Sequence, residues 1–281
     1  MATIEFPDGI YNGETKLFSG KREGMGEFKY KNGNVYEGEF LDNERTGKGK
    51  LTYANGATYE GEFLRGEFRE GKVTYANGAT YEGSFLSGEK RKGKLTYANG
   101  NVYEGKFYND KFMGKGKLTW KNGATYEGEF SYGKFDGNGK LTYANGDTFE
   151  GFFLSGEKRK GKLTYANGDT YEGGFYNDKF MGKGKLTYAN GDIYEGHFLR
   201  GEFREGIITY ANGGSFTVEP KNNSPYKEKG TLHHPDGIIN TAEPVAGNIS
   251  EKAKATFSDS SVSENDGRQK KQQQRIRNAA K

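Results

Sequence analysis

Apolar and polar positions alternate along most of this chain, and the pattern restarts every 22 or 23 residues. In one unit, residues 36–56, Tyr-Glu-Gly-Glu-Phe is followed by a polar stretch and then by Gly-Lys-Leu-Thr-Tyr-Ala-Asn-Gly. Alternation with a period of two is typical of a strand that buries one face. Each unit therefore predicts two strands and no helix.

The unit is an internal repeat that can be followed by its Tyr-Glu-Gly motif. Less regular copies near Tyr11 and Phe216 extend the series, so that we count about nine to ten repeats. The regular copies begin at Tyr36, Tyr59, Tyr81, Tyr103, Tyr126, Tyr171 and Tyr194, with Phe149 in place of tyrosine once.

Asn-Gly between two such runs is a strong signal for a β-hairpin. A three-residue loop at 54–56 places Leu51 opposite Tyr59 and Lys50 opposite Glu60, so that aromatic side chains share one face and charges the other. A two-residue loop would divide the aromatic side chains between the faces, and we therefore predict the longer loop. The same rule pairs Lys72 with Glu82, Lys94 with Glu104, Lys117 with Glu127, Lys140 with Glu150, Lys162 with Glu172 and Lys185 with Glu195.

Glycines recur at facing positions of these hairpins, as at Gly49 and Gly61. Because glycine weakens a strand, its regular placement indicates that something packs closely over it. We expect neighbouring tyrosine and phenylalanine rings to lie there. The one irregular pair is Glu27 opposite Glu37, where like charges meet.

These elements predict an all-β fold, an elongated single-layer antiparallel β-meander that forms a solenoid-like rod. About twenty strands at ~4.8 Å spacing would extend roughly 90–100 Å. We expect the array at residues 1–219 with a cap near 4–13, a degenerate terminal repeat or cap at 220–241, and a flexible, partly disordered tail at 242–281. A short basic helix at 264–281 is an alternative for the end of this tail.

The amino-acid composition argues against several classes of function. The 281 residues include 45 Gly, 20 Tyr, 20 Phe and no Cys, so thiolate metal sites and cysteine nucleophiles are excluded. A net charge of +4, from 42 basic and 38 acidic residues, gives little reason to expect nucleic-acid binding. The chain shows neither a secretion signal nor a long apolar run, and we expect a cytoplasmic protein.

The repeat resembles the MORN (membrane occupation and recognition nexus) consensus, on the residues Tyr-Glu-Gly-Glu-Phe and Gly-x-Gly-x-Leu-x-Tyr-x-x-Gly of 36–56. Phenylalanine replaces the tryptophan that many MORN repeats carry, and the resemblance extends over residues 10–218. It implies an aromatic groove used for protein interaction, dimerisation or membrane association. It also implies a location at the cytoskeleton, the cilium or a membrane.

The sequence contains only weak signals for nucleotide, metal or choline binding. Gly88 to Lys94 has the glycine spacing of a P-loop, but Leu95 stands where that motif needs Ser or Thr. His233 and His234 lack a third metal ligand, and the single Trp120 argues against the aromatic cages of choline-binding modules. We therefore expect no enzyme activity, no cofactor and no metal.

The expected function is that of a non-catalytic scaffold that binds partner proteins, whose identity stays open, through its aromatic groove. Self-association as a homodimer or an end-to-end oligomer is a further expectation. The groove is predicted from Tyr59, Phe63, Tyr81, Phe85, Tyr103, Phe107, Tyr126, Phe130, Tyr171 and Phe175. The alternative is a peripheral membrane module that binds anionic lipids through Lys90, Arg91, Lys92, Lys158, Arg159 and Lys160.

Overall fold

The computed structural model describes residues 2–219, 230–233 and 239–242, the last two ranges by their backbone alone. The described residues form antiparallel strands joined by turns and contain no helix, so the predicted all-β meander of hairpins is confirmed. The chain divides into two compact units, one ending at Lys121 and the next beginning at Asn122. In each unit, strands that follow one another in sequence are hydrogen-bonded neighbours.

The first unit contains eleven strands. They are β1 Ala2–Phe6, β2 Gly9–Thr15, β3 Arg22–Tyr30, β4 Val35–Leu41, β5 Glu44–Thr52, β6 Thr58–Leu64, β7 Glu67–Thr74, β8 Thr80–Leu86, β9 Glu89–Thr96, β10 Val102–Tyr108 and β11 Lys111–Thr119.

The described part of the second unit contains the next eleven strands. They are β12 Thr125–Ser131, β13 Lys134–Thr142, β14 Thr148–Leu154, β15 Glu157–Thr164, β16 Thr170–Tyr176, β17 Lys179–Thr187, β18 Ile193–Leu199, β19 Glu202–Thr209, β20 Ser215–Val218, β21 Gly230–His233 and β22 Ile239–Ala242.

The three-residue loop at the Asn-Gly turns is confirmed. The amide of Tyr53 donates to the carbonyl of Ala57 at 2.8 Å, and Gly56 closes the turn in the left-handed region at φ 85°. The Asn55 side chain accepts a hydrogen bond from the amide of Ala57, which is the usual role of asparagine in such a turn. Leu51 therefore lies opposite Tyr59, as predicted.

A β-bulge explains why the repeat has two lengths. The second strand of a repeat has eight residues where the interval is 22 and nine where it is 23. In the nine-residue strands, the bulge holds a glycine at positive φ. Examples are Gly47 (52°), Gly114 (62°) and Gly182 (72°). The extra residue is thus absorbed locally, and within each unit successive hairpins keep their aromatic residues on one face.

The core is a lattice of rings and glycines within one layer. Tyr126 is fully buried, and its hydroxyl donates to the carbonyl of Glu129 at 2.9 Å, which bends the ring over the facing Gly128 and Gly139. A Cβ built on Gly128 would lie 2.7 Å from the Tyr126 hydroxyl and 2.5 Å from the Cα of Gly139. The expected packing of rings over glycines is therefore present, and the facing backbone is as close as the ring. The same hydroxyl contact recurs at Tyr11, Tyr36, Tyr81, Tyr103 and Tyr171.

Lysine and glutamate oppose each other on the other face, as the sequence predicts. Within the second unit Lys140 faces Glu150, Lys162 faces Glu172 and Lys185 faces Glu195. Two of these pairs come within ion-pair distance, Lys140–Glu150 at 3.9 Å and Lys185–Glu195 at 3.7 Å. Because these side chains are exposed, each pair contributes at most about 1 kcal/mol. The unfavourable pairing of Glu27 with Glu37 is also present.

The predicted boundaries at the chain ends are tested only in part. Strands β1 and β2 form a hairpin at the position of the expected N-terminal cap. In the predicted terminal repeat at 220–241, the structure describes the backbone of β21 and the start of β22. The rest of that segment, the tail at 243–281 and the basic helix at 264–281 lie outside the described residues.

Candidate functional site

The ten residues predicted to line a groove form the buried layer of the aromatic face, which we call its floor. Nine of the ten expose at most 6% of their surface, and Tyr59 is half-buried. Edge-to-face contacts connect them, such as Tyr81 with Phe107 at 5.4 Å between ring centroids. These ten side chains stabilise the fold and leave little ring surface for a partner to contact. A site on this face has to be sought at other positions.

One position in the second strand of each repeat lies beside the floor and holds either an aromatic ring or a cation. We call these positions, taken together, the column. In strands β11, β13 and β17 the column carries phenylalanine stacked flat on the core tyrosine, as for Phe180 on Tyr171 at 3.6 Å and 9°. Two repeats place a lysine there instead. The ammonium of Lys90 lies 5.6 Å from the centroid of the Tyr75 ring, and that of Lys158 lies 5.2 Å from the centroid of Tyr143. The aromatic face therefore accepts cations over its rings.

The structure separates the two predicted basic loops into different environments. The Lys90 and Lys158 side chains are 11% and 12% exposed, and they pair with Asp110 at 2.7 Å and Asp178 at 3.1 Å. Burial alone would lower the pKa of Lys158, but Tyr143 and Asp178 outweigh it and raise that pKa. Lys158 thus stays charged inside the aromatic face.

The other four cations of these loops lie elsewhere. The Arg91 guanidinium lies 3.8 Å from Glu89, and that of Arg159 lies 3.0 Å from Glu157. Lys92 and Lys160 are exposed. The six residues therefore do not form two exposed basic clusters of the kind that the sequence suggested.

The accessible aromatic surface of the second unit is a row of tyrosines at the starts of the Asn-Gly turns. We call it the tyrosine row; its members are half-buried and lie one repeat apart. They are Tyr143, Tyr165, Tyr188 and Tyr210. The residues at corresponding positions in the first unit are mostly buried, with Tyr75 at 6% and Tyr97 at 3% exposure.

Aspartates face three of these tyrosines across the turns. The amide of Tyr143 donates to the carbonyl of Asp147, and Tyr165 and Tyr188 make the same contact with Asp169 and Asp192, each at 2.8 Å. In the first unit, neutral residues take the matching places, Ala57 opposite Tyr53, Ala79 opposite Tyr75 and Asn101 opposite Tyr97. The row of the second unit therefore alternates aromatic rings with carboxylates.

Each carboxylate is held by the turns themselves. One oxygen of Asp169 accepts from the amide of Ala189 in the next turn at 2.8 Å, and the other accepts from the side-chain amide of Asn167 at 2.9 Å. Asp147 and Asp192 are bound in the same way. Among the described residues, no lysine or arginine forms an ion pair with these three aspartates.

Tyr165 occupies the middle of the row and has an unusual hydroxyl. The hydroxyl is buried and has no hydrogen-bond partner among the described residues. Burial and the nearby carboxylates of Asp147 and Asp169 raise the pKa of Tyr165 above its usual range. Burial and the carboxylates of Asp169 and Asp192 raise the pKa of Tyr188 to about 12. The row is therefore a neutral aromatic surface with a negative rim at ordinary pH.

Sequence reasoning missed the tyrosine row because it grouped these residues with the turn. The signal that distinguishes the second unit was present as Asn-Gly-Asp at 145–147, 167–169 and 190–192, where most earlier turns carry alanine or asparagine after glycine. A residue directly after this loop lies opposite the tyrosine that precedes it. A charged residue at this position therefore places its charge next to the aromatic face.

The remaining candidates from the sequence gain no support. Gly88 to Lys94 forms a turn and the start of strand β9, whereas a P-loop leads into a helix. Of His233 only the backbone is described, and His234 lies outside the described residues. Over the described ranges, no cluster of three metal-ligating side chains occurs and no helix has the length and apolarity needed to cross a bilayer.

Comparison with solved structures gives matches of low similarity. The TCP10 domain of Danio rerio CPAP, in a mutant form, matches with 12% identity and a TM-score of 0.26 over 88% of this chain and all of that one. The SAS-4 TCP domain of Drosophila melanogaster, solved with a proline-rich motif of Ana2, matches with 16% identity and a TM-score of 0.20 over 82% and 93%. A virginiamycin B lyase from Staphylococcus aureus matches with 13% identity and a TM-score of 0.14 over 85% and 75%. No protein of curated function matches the chain.

A family model identifies the repeats themselves. The MORN repeat model matches nine consecutive segments, and each segment from the second onward contains two neighbouring strands of the meander. They are residues 18–35, 36–58, 59–80, 81–102, 103–125, 126–148, 149–170, 171–193 and 194–215. These segments tile most of the chain without gaps, and the protein therefore belongs to the MORN repeat family.

Proposed function

We propose that this protein is a non-catalytic scaffold that binds partner proteins through the tyrosine row of its second unit. The observation that carries the proposal is the half-buried state of the four tyrosines in a unit where most other rings of this face are buried. Tyrosine is enriched in protein interfaces because it offers a large rigid ring and a polar end. The lattice beneath holds these rings in place before a partner arrives, which lowers the entropic cost of binding.

The test compares two faces of the same repeats. The row variant replaces Tyr165 and Tyr188 by alanine, and the matched control replaces Tyr176 and Leu199, which are 55% and 42% exposed at the ends of strands β16 and β18. Wild type and both variants are used to capture proteins from the source cells, and each captured protein is then purified and titrated. We expect the row variant alone to lose binding. Equal retention by both variants would refute the proposal.

We also propose that the chain self-associates, as the resemblance implies. Strand β1 has one neighbour in the described pairings, β2, and its other edge offers unpaired backbone groups to a second copy. Light scattering over a range of concentrations should show a mass that rises above that of one chain. A constant monomer mass would remove this part of the proposal.

Anionic lipid binding is the second candidate, and one pair of lysines favours it. Lys92 lies opposite Lys106 on the charged face, and both side chains are exposed. Two adjacent cations attract acidic headgroups in a salt-dependent manner. Vesicles containing phosphatidylserine should float with the wild type and not with the Lys92→Glu, Lys106→Glu variant. Flotation unaffected by the two substitutions would exclude this site.

A further inference from the structure

We infer that the tyrosine row recognises an extended basic segment of a partner protein, with a lysine or arginine at every third residue. The inference rests on the proposed function, because it names the chemistry of the partner that the row would bind. Three features support it: the alternation of rings with carboxylates, a cation that already occupies one end of the row, and the spacing of the repeats.

The alternation of Tyr and Asp matches both parts of a basic side chain. An ammonium or guanidinium group is attracted to the face of a tyrosine ring and to a carboxylate. Asp147 and Asp169 both lie near Tyr165, and Asp169 and Asp192 both lie near Tyr188, since these carboxylates raise the pKa of the two tyrosines. A cation placed at either ring would therefore lie close to two carboxylates.

Lys158 shows that the face binds a cation in this manner. Its ammonium donates to the Tyr143 hydroxyl at 2.6 Å, lies over the rings of Tyr143 and Phe149, and pairs with Asp178 at 3.1 Å. Beyond Tyr143 the row continues with Tyr165 and Tyr188, where the buried Phe180 and Phe203 take the place that Lys158 takes beside Tyr143. A cation from another chain would therefore meet these two tyrosines on the half-exposed side of their rings, next to the aspartates.

The distance between neighbouring tyrosines of the row favours a partner in an extended conformation. One repeat contributes two strands, so neighbouring members of the row lie about 9.6 Å apart along the sheet. Three residues of an extended chain advance about 9–10 Å, and in the polyproline II conformation every third side chain points the same way. A basic residue at every third position would therefore meet one Tyr–Asp pair after another, without distortion of either chain.

The first unit provides the internal contrast. There Ala57, Ala79 and Asn101 replace the aspartates, and Tyr75 and Tyr97 are buried. That unit lacks the carboxylates, and its half-buried turn tyrosine Tyr53 has Ala57 opposite it. We therefore expect the basic segment to bind at the second unit only.

The chain itself shows that the aspartates can be replaced without loss of the fold. Asn101 makes the turn-to-turn contact that the aspartates make, because its side-chain oxygen accepts from the amide of Lys121 at 3.0 Å. Asn34 does the same for the amide of Ala54 at 3.1 Å. Replacing the three aspartates by asparagine should thus remove the charge and keep the turns.

The experiment titrates the full chain with a synthetic peptide that carries arginine at every third position between glycine and serine. A second peptide of the same composition has its arginines in one block. The test protein carries Asp147→Asn, Asp169→Asn and Asp192→Asn. The control, with the same change in net charge, carries Glu150→Gln, Glu172→Gln and Glu195→Gln on the opposite face. Calorimetry or fluorescence anisotropy at low salt measures the affinities.

We expect the spaced peptide to bind the wild type more tightly than the blocked peptide and to weaken as salt rises. The aspartate variant should lose affinity roughly tenfold, as the loss of three exposed ion pairs predicts, and the glutamate control should change by less than about twofold. Equal losses in both variants, or equal affinity for both peptides, would overturn the inference. The proposed function would survive that result if the Tyr165 and Tyr188 variant still lost its captured partners.

The chain's own basic segment between Arg268 and Lys281 is the competing occupant. A full-length variant with Lys270, Lys271, Arg275 and Arg277 changed to glutamine tests it. If the spaced peptide binds this variant and the wild type alike, the row is open to a separate partner, as inferred. If it binds only this variant, the row is filled by the chain's own segment, and the inference of a separate partner is wrong.

Discussion

At the scale of single residues, the fold depends on a tyrosine or phenylalanine ring bent over two facing glycines. The ring is buried on a single-layer sheet because the missing side chains let it lie flat against the backbone. Sequence could predict this arrangement from the Tyr-Glu-Gly spacing and the facing glycines. It could not predict the hydroxyl contact with the carbonyl three residues later, which depends on the bend of the strand.

Gly128→Val tests the lattice directly. The new side chain would meet the Tyr126 hydroxyl and the backbone of Gly139, so we expect a loss of about 1–3 kcal/mol in the free energy of unfolding. Hydrogen exchange should show lost protection in β12 and β13 and unchanged protection in β17 and β18, since repeat arrays confine damage to neighbours.

The control for this change is Ser131→Val on the same strand, where matching repeats carry Leu154 and Leu199. We expect it to leave the free energy of unfolding and the exchange pattern close to wild type. Unchanged protection in the Gly128→Val variant would show that the glycines have no packing role.

Tyr103→Phe tests the hydroxyl contact. The substitution removes the hydrogen bond from the tyrosine to the carbonyl of Lys106, 3.0 Å long, and should lower the free energy of unfolding by about 0.5–1.5 kcal/mol. Phe149 fills the same place without a hydroxyl and is fully buried, so the ring itself should stay in position. Urea unfolding measures the difference, and an unaltered midpoint would mean that the bond contributes nothing net.

At the scale of the elements, the β-bulge decides which side chains reach the aromatic face. Counting back from Leu95 by twos places Arg91 on that face and Lys90 on the other. The structure does the reverse, because the register shifts between Gly83 and Phe85 and sets Lys90 opposite Phe85. The alternation of apolar and polar residues predicts the strands well, but beyond a bulge it assigns side chains to the wrong face. Simple alternation therefore assigns Lys90 and Lys158 to the wrong face.

Gly182→Ala tests the conformational demand of the bulge. Gly182 lies at φ 72° with nothing within 4 Å of a built Cβ, so the added methyl group meets no neighbour and only the backbone angle is unfavourable. We expect a loss of about 1–2 kcal/mol, the usual penalty of the left-handed region for a residue with a Cβ. Gly182→Asn should lose less, since asparagine tolerates that region. Denaturant unfolding of both variants shows which one loses more of its free energy of unfolding. Equal losses in the two variants would contradict this reasoning.

At the scale of the whole molecule, burial of many tyrosines makes the fold sensitive to alkali. Burial raises the pKa of Tyr36, Tyr171 and Tyr194 to about 12, above the usual value of 10.0. A group whose pKa is raised in the folded state binds its proton more tightly there than in the unfolded chain. The stabilisation is complete below the unfolded pKa and is lost as the pH rises through the folded one.

We therefore expect stability to be independent of tyrosine ionisation below about pH 10 and to fall between about pH 10 and 12. Tyrosinate absorbance and circular dichroism, followed together during an alkaline titration, should change in one cooperative step. Smooth ionisation of most tyrosines near pH 10 with the sheet intact would show that the rings are accessible and not buried.

Sequence predicted much of the molecule and little of its site. The repeat, the hairpins, the loop length and the pairing of Lys with Glu all follow from a period of two and from Asn-Gly chemistry. The accessible rings could not be identified in this way. Tyr81 and Tyr165 are both aromatic residues on one face, and only the packing of neighbouring rings buries the first and leaves the second half-buried.

The central claim is that the tyrosine row, and neither the lattice nor the opposite face, contacts the partner. Hydroxyl-radical footprinting measures it on individual tyrosines. Without a partner, Tyr143, Tyr165, Tyr188 and Tyr210 should oxidise faster than the buried Tyr126 and Tyr171, and Tyr176 should oxidise fastest. With a captured partner or the spaced arginine peptide bound, the account predicts protection of the row and an unchanged rate at Tyr176. Protection at Tyr176 with an unchanged row would contradict it.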